Sequence, residues 1–98
     1  MAFIDEYDFY LIKNEAEQLV FQELEHQLNS IDYEMCLCNE CVLDMATIAL
    51  NTVKPFYRFS LLGTIYAVNA LENEEYANSI QQAVVNAIER ISSNPAHD

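Results

Sequence analysis

Cys36-Leu37-Cys38-Asn39-Glu40-Cys41-Val42-Leu43-Asp44-Met45-Ala46-Thr47-Ile48-Ala49-Leu50-Asn51-Thr52-Val53-Lys54-Pro55 is the stretch that decides the fold. From Asn39 to Val53 the apolar positions Val42, Met45, Ala46, Ala49, Leu50 and Val53 follow the three-four alternation of an α-helix. Leu43 and Ile48 extend the apolar coverage almost all round, so this segment is expected to be the central, most buried helix. Asp44, Thr47 and Asn51 fall at i, i+3 and i+7 and leave one narrow polar stripe. Pro55 stops the helix, because it disfavours helical geometry at Lys54 and lacks an amide donor itself.

Outward from this segment the pattern stays helical. From about Asp8 to Leu28, Ile12, Ala16, Leu19, Val20, Leu24 and Leu28 form one stripe, and Asn29 and Ser30 end it. Residues 1–10, with Phe3, Ile4, Tyr7, Phe9 and Tyr10 among acids, read as an N-terminal arm or the first turns of that helix. Phe56 to Phe59 reads as a loop or irregular turn. Ser60 to Leu71 would suit a strand at Thr64-Ile65-Tyr66-Ala67-Val68, but Leu61, Ile65 and Val68 favour a short helix. Asn73 is a good N-cap for a last helix from about Glu74 to Ser92, which buries Tyr76, Ile80, Ala83, Val84, Ala87, Ile88 and Ile91. Glu74 and Glu75 favour its positive end, and Asn94-Pro95 terminates it. The expected fold class is all-α, a small bundle of four to five helices in one domain over residues 1–98. With 98 residues, 52% apolar, the chain has more apolar surface than one small core buries, so a homodimer is expected.

Sixteen acidic and four basic residues give a formal charge of −12. That field repels duplex nucleic acid and anionic lipid, so neither is an expected partner. No apolar run reaches membrane-spanning length, and Asp5, Glu6 and Asp8 break any signal-like core before Lys13. The expected compartment is the reducing cytoplasm.

There, clustered cysteines favour metal over disulfide. Cys36, Cys38 and Cys41 are the only cysteines, and Cys38-x-x-Cys41 has the knuckle spacing of a zinc site. Cys41 falls in the first turn of the central helix, where the dipole and unpaired amides favour thiolate. A fourth ligand is needed, and His26 and His97 are the only histidines. If the last helix packs antiparallel to the central one, Asn94-Pro95-Ala96-His97 comes beside the cluster, which favours His97; His26, one short loop away, remains an alternative. The competing reading is three plain thiols, or a reversible Cys38–Cys41 disulfide. A closed Cys3His site would be structural.

Lys54-Pro55-Phe56-Tyr57-Arg58-Phe59 holds two of the four cations. Arg and Lys bind phosphate oxygens, and Arg and Tyr faces stack on nucleobases. Asn51 and Thr47 on the polar stripe point towards the same end. The plain alternative is a turn with two core phenylalanines and two solvating cations. There is no Gly-rich phosphate loop, no nucleophile elbow and no paired-histidine metalloprotease motif, so an enzyme is not expected.

The combination of Cys36-x-Cys38-x-x-Cys41, Asp44, Ala49-Leu50-Asn51, Pro55-x-Tyr57, Gly63 and the closing Asn94-Pro95 resembles the late competence development protein ComFB family of bacteria, from about Leu19 to Asp98. The resemblance implies a small all-helical homodimer holding a structural zinc ion through its cysteines. Members with a fourth cysteine place it just past the Pro, where this chain offers His97. Some ComFB-like proteins are receptors for cyclic di-GMP or cyclic di-AMP, which makes Lys54, Tyr57 and Arg58 the implied ligand residues, with Asn51 and Thr47 beside them. The alternative the family allows is a competence-type adaptor acting only through protein contacts, with the acidic surface and aromatic residues 1–10 as its working parts.

Overall fold

Asn14 has extended backbone and its side-chain Oδ1 accepts from the Ala16 amide at 3.1 Å, which starts the first long helix. The computed structural model describes residues 2–60 and 73–95. Within them the chain forms α1 (Phe3–Glu6), a 3-10 turn (Phe9–Leu11), β1 (Lys13–Asn14), α2 (Glu15–Ser30), α3 (Asn39–Thr52), β2 (Tyr57–Arg58) and α4 (Glu74–Ser93). The short helix expected within Ser60 to Leu71 lies outside the described residues from Leu61 onward.

The mostly helical architecture agrees with the expected small helical domain, and the one correction to the all-α class concerns a short two-stranded ladder beside the helices. β1 and β2 form a two-stranded antiparallel ladder, with Lys13 opposite Arg58 and Asn14 opposite Tyr57. The segment expected to be a loop at Phe56 to Phe59 therefore contains a strand. The same ladder moves the start of α2 from about Asp8 to Glu15. Asn14 wins as the cap because its Oδ1 also accepts from the Phe56 amide at 2.8 Å, and the Glu15 amide donates to the Phe56 carbonyl at 2.7 Å. Capping and cross-chain pairing are thus satisfied by the same residue. Ile12, read as part of the buried stripe, lies ahead of the helix and is 47% exposed.

The core takes one stripe from each long helix. α2 contributes Ala16, Val20 and Leu24; α3 contributes Cys41, Met45, Ala46 and Ala49, followed by Val53; α4 contributes Ile80, Ala83, Val84, Ala87, Ile88 and Ile91. These are the three- and four-residue steps that put side chains on one helix face. Each fully buried Val or Met stabilises the fold by about 1.5–3 kcal/mol relative to exposure. Small residues on both buried faces (Ala46 and Ala49, Ala83 and Ala87) let α3 and α4 pack closely, and this is the most extensive helix contact. Leu43 is a second correction: at 56% exposed it leaves α3 open on one side, against the expectation of burial almost all round.

Helix direction follows from the ends. In the first turn of α4, Tyr76 donates its hydroxyl to the Lys54 carbonyl at 2.8 Å and packs edge-on against Phe56, with ring centroids 4.6 Å apart. Since Lys54 lies just past the end of α3, α3 and α4 run antiparallel. Phe56 likewise sits against Asn14 at the start of α2, so α2 and α3 run antiparallel too. The Cys41 end of the domain is thereby opposite to the Arg58 end.

Asn14→Ala removes the cap of α2 and leaves the half-buried Phe56 amide without its side-chain acceptor. Urea unfolding is expected to show a loss of about 1–2 kcal/mol, with Asn14→Asp retaining most of the stability. A loss below about 0.3 kcal/mol would contradict the shared-acceptor role of Asn14.

Candidate functional site

The three cysteines meet at the start of α3. Cys38 is its N-cap, with φ −70° and ψ 166°, and its Sγ accepts from the Cys41 amide at 3.4 Å. Cys41 is buried in the first turn, Cys36 is half-buried in the preceding loop and Cys38 is exposed. Their sulfurs lie within 4.8 Å of one another, and no disulfide joins them. In a tetrahedral thiolate site with Zn–S near 2.3 Å, the sulfurs stand about 3.8 Å apart, so a metal ion would draw them together by about 1 Å at most. Burial, followed by hydrogen bonding to Cys36 and Cys38, pushes the Cys41 thiol up to about 12. The Cys36 thiol shifts the other way, chiefly because the Cys38 backbone amide and then the Cys38 and Cys41 side chains stabilise its thiolate. The neighbouring donors thus favour the thiolate of Cys36, while burial disfavours that of Cys41 until a cation compensates it. The donor set suits a soft ion.

Among the described residues no histidine or carboxylate joins the three sulfurs. His26 is exposed on α2, beside a groove lined by Glu23, Tyr33 and Glu89. His97 lies outside the described residues. The antiparallel course of α4 does carry the chain back to the Cys41 end of α3. At ~1.5 Å per residue, α3 is matched by roughly the stretch from Tyr76 to Arg90, and Asn94 and Pro95 lie beyond it.

At the opposite end, the ladder gathers the other expected residues unequally. Tyr57 and Arg58 line an open cavity of about 430 Å³ together with Lys13, Glu15, Glu17 and Gln18. The Arg58 guanidinium Nε donates to the Glu15 carboxylate, and the two form an ion pair. Lys54, Asn51 and Thr47 do not line this cavity. The Lys54 ammonium lies 5.9 Å from the Phe56 ring centroid, in cation–π range, and the Thr47 hydroxyl donates to its own helix at Leu43 O, 2.8 Å away. Asn51 is exposed on α3. The residue sequence reasoning missed is Lys13. Only its pairing with Arg58 in a two-residue ladder brings it there, and strands that short leave no alternation to read.

These features define a class: a small, mostly helical domain whose central helix opens on a three-thiol group able to hold a soft metal ion. Within that class, the chain belongs to the late competence development protein ComFB family, whose profile matches residues 13–95. Its structure is similar to that of the late competence protein ComFB from Bacillus subtilis, with a TM-score of 0.69 and 19% sequence identity over 87% of this chain and 92% of that chain. At that identity the likeness is one of fold. No curated protein matches the chain significantly. Among the described residues no helix is long and apolar enough to cross a membrane.

A metal ion entering the cluster must displace protons, the Cys41 proton above all. Competition with a chelator is expected to show affinity falling by about tenfold or more per pH unit between about pH 8 and about pH 6. Metal binding that does not change with pH would place the ion elsewhere.

Proposed function

We propose that the chain is a non-catalytic cytoplasmic receptor for a cyclic dinucleotide, cyclic di-GMP ahead of cyclic di-AMP, built on a zinc-stabilised homodimer. The observation that carries this reading is the placement of Tyr57 and Arg58, with Lys13, along one open cavity of a chain otherwise dominated by negative charge. Arg58 offers a guanidinium for a phosphodiester oxygen or a guanine edge, and the exposed Tyr57 ring offers a face for base stacking. Lys54, Asn51 and Thr47 do not line this cavity, so the reading rests on Tyr57 and Arg58. The ladder is pinned through Asn14 to the start of α2 and to Phe56 in the segment after α3, so these groups are presented on a fixed frame. Membership of the ComFB family is consistent with such a role.

In the same reading zinc is structural, held by Cys36, Cys38, Cys41 and His97, and ties the chain after α4 to the start of α3. The second copy would cover the apolar groove of Phe21, Leu24, Leu28, Leu37, Val42 and Leu43, several of whose side chains are exposed in one chain. Elemental analysis is expected to find one zinc per chain, reduced in His97→Ala; full occupancy in that variant would assign the fourth ligand elsewhere.

One observation favours a second reading, that of a protein-binding adaptor. Phe3, Tyr7 and Phe9 form an exposed cluster with ring centroids 4.9 to 6.0 Å apart, beside Asp5, Glu6 and Asp8. Titration calorimetry separates the two. The receptor reading expects saturable micromolar binding of cyclic di-GMP, weakened about tenfold or more by Arg58→Ala. No binding to either cyclic dinucleotide, with a protein partner lost on deletion of residues 1–10 and kept by Arg58→Ala, would establish the adaptor instead.

A further inference from the structure

The pairing of Lys13 with Arg58 across the ladder puts two cations on one face, since directly opposed residues of an antiparallel pair project to the same side. Like charges so placed repel, and a carboxylate paired with either cation relieves the repulsion. Glu15 supplies one on the Arg58 side. It is the residue that follows β1, and its side chain takes the Arg58 guanidinium in a partly shielded pair, with side chains 37% exposed for Arg58 and 27% for Glu15. With Glu17 on the same wall, the cavity carries two cations and two carboxylates. An arriving anion therefore meets no net positive charge there while the Arg58–Glu15 pair is closed, in a chain whose overall field already repels it.

We propose that Glu15 is the resident occupant of an anion seat formed by Arg58 and Lys13, and that a phosphate-bearing ligand binds by displacing it. This rests on the receptor reading and specifies how its site is regulated. The displacement needs only rotation of the Glu15 side chain, because the backbone around it is fixed by other bonds: the Glu15 amide to Phe56 O, and the Asn14 side chain to the Ala16 and Phe56 amides. Lys13 then becomes a binding residue in its own right, neutralising phosphate charge opposite Arg58. The pair sets an affinity threshold, so that the seat fills only when ligand concentration overcomes an internal competitor of high effective concentration.

The test is calorimetric titration of the wild-type full chain, Glu15→Gln, Glu17→Gln and the double variant Lys13→Ala/Glu15→Gln, with cyclic di-GMP, cyclic di-AMP and inorganic pyrophosphate as probes. Glu15→Gln is expected to bind about fivefold tighter than wild type, the factor that loss of one partly exposed ion pair implies. Glu17→Gln, which removes the same charge from the same cavity but not from Arg58, is expected to gain clearly less. Lys13→Ala is expected to cancel most of the gain of Glu15→Gln. Equal affinities for wild type and Glu15→Gln would overturn the displacement while leaving the receptor reading intact. An equal gain in Glu17→Gln would reduce the effect to general charge, and no effect of Lys13→Ala would remove the two-cation seat; either result overturns the proposal. Failure of both cyclic dinucleotides, with pyrophosphate still favouring Glu15→Gln, would sink the receptor reading and keep the displacement. Failure of all three probes in every variant would sink both.

Discussion

The carboxamide oxygen of Asn14 accepts from Ala16 at the start of α2 and from Phe56 beyond the end of α3, and much of the described structure depends on that double acceptance. It fixes where α2 begins, which puts Ala16, Val20 and Leu24 on the core side. It also brings Lys13-Asn14 alongside Tyr57-Arg58, forming a ladder too short to be stable alone. Tyr76 closes the same corner from α4 by bonding to Lys54 and packing on Phe56. Three long helices are thus registered at one end by two side chains, and the side chains proposed to meet a ligand stand on that junction.

The other end of the domain is organised by sulfur. Cys38 caps α3 and Cys41 fills its first buried turn, so the two cysteines do the work that a polar cap and an apolar core residue do elsewhere. Antiparallel packing of α3 against α4 keeps this end apart from the ladder. The division has a physical consequence. A metal ion at the thiols would act on how firmly α3 is anchored, while charge changes at Glu15, Lys13 and Arg58 would act on the ladder with little effect on the sulfurs.

The helices were legible where a long apolar face is buried by one partner. α4 has its whole stripe from Ile80 to Ile91 and its Asn73 cap visible in the sequence, and both are present in the structure. The thiol cluster was legible because six residues of any backbone bring its sulfurs near one another. The start of α2 was misread because Ile12 continues the apolar spacing, although Asn14-Glu15-x-Glu17 carries a cap and first-turn acids that mark the true boundary. The ladder and Lys13 were out of reach. Two residues per strand contain no periodicity, and the partner of Lys13 is fixed by tertiary packing alone. Glu15 belongs with them: in the sequence it is one acid among sixteen, and only its contact with Arg58 singles it out.

The central claim is that ligand chemistry resides at the ladder and not at the thiols. Amide chemical-shift mapping of the zinc-loaded chain during addition of cyclic di-GMP tests this most directly. The account predicts that the largest shifts fall on residues 13–18 and 56–58, with the amides of Cys36, Cys38 and Cys41 nearly unmoved. Shifts centred on those three cysteines, or none anywhere at saturating ligand, would contradict it.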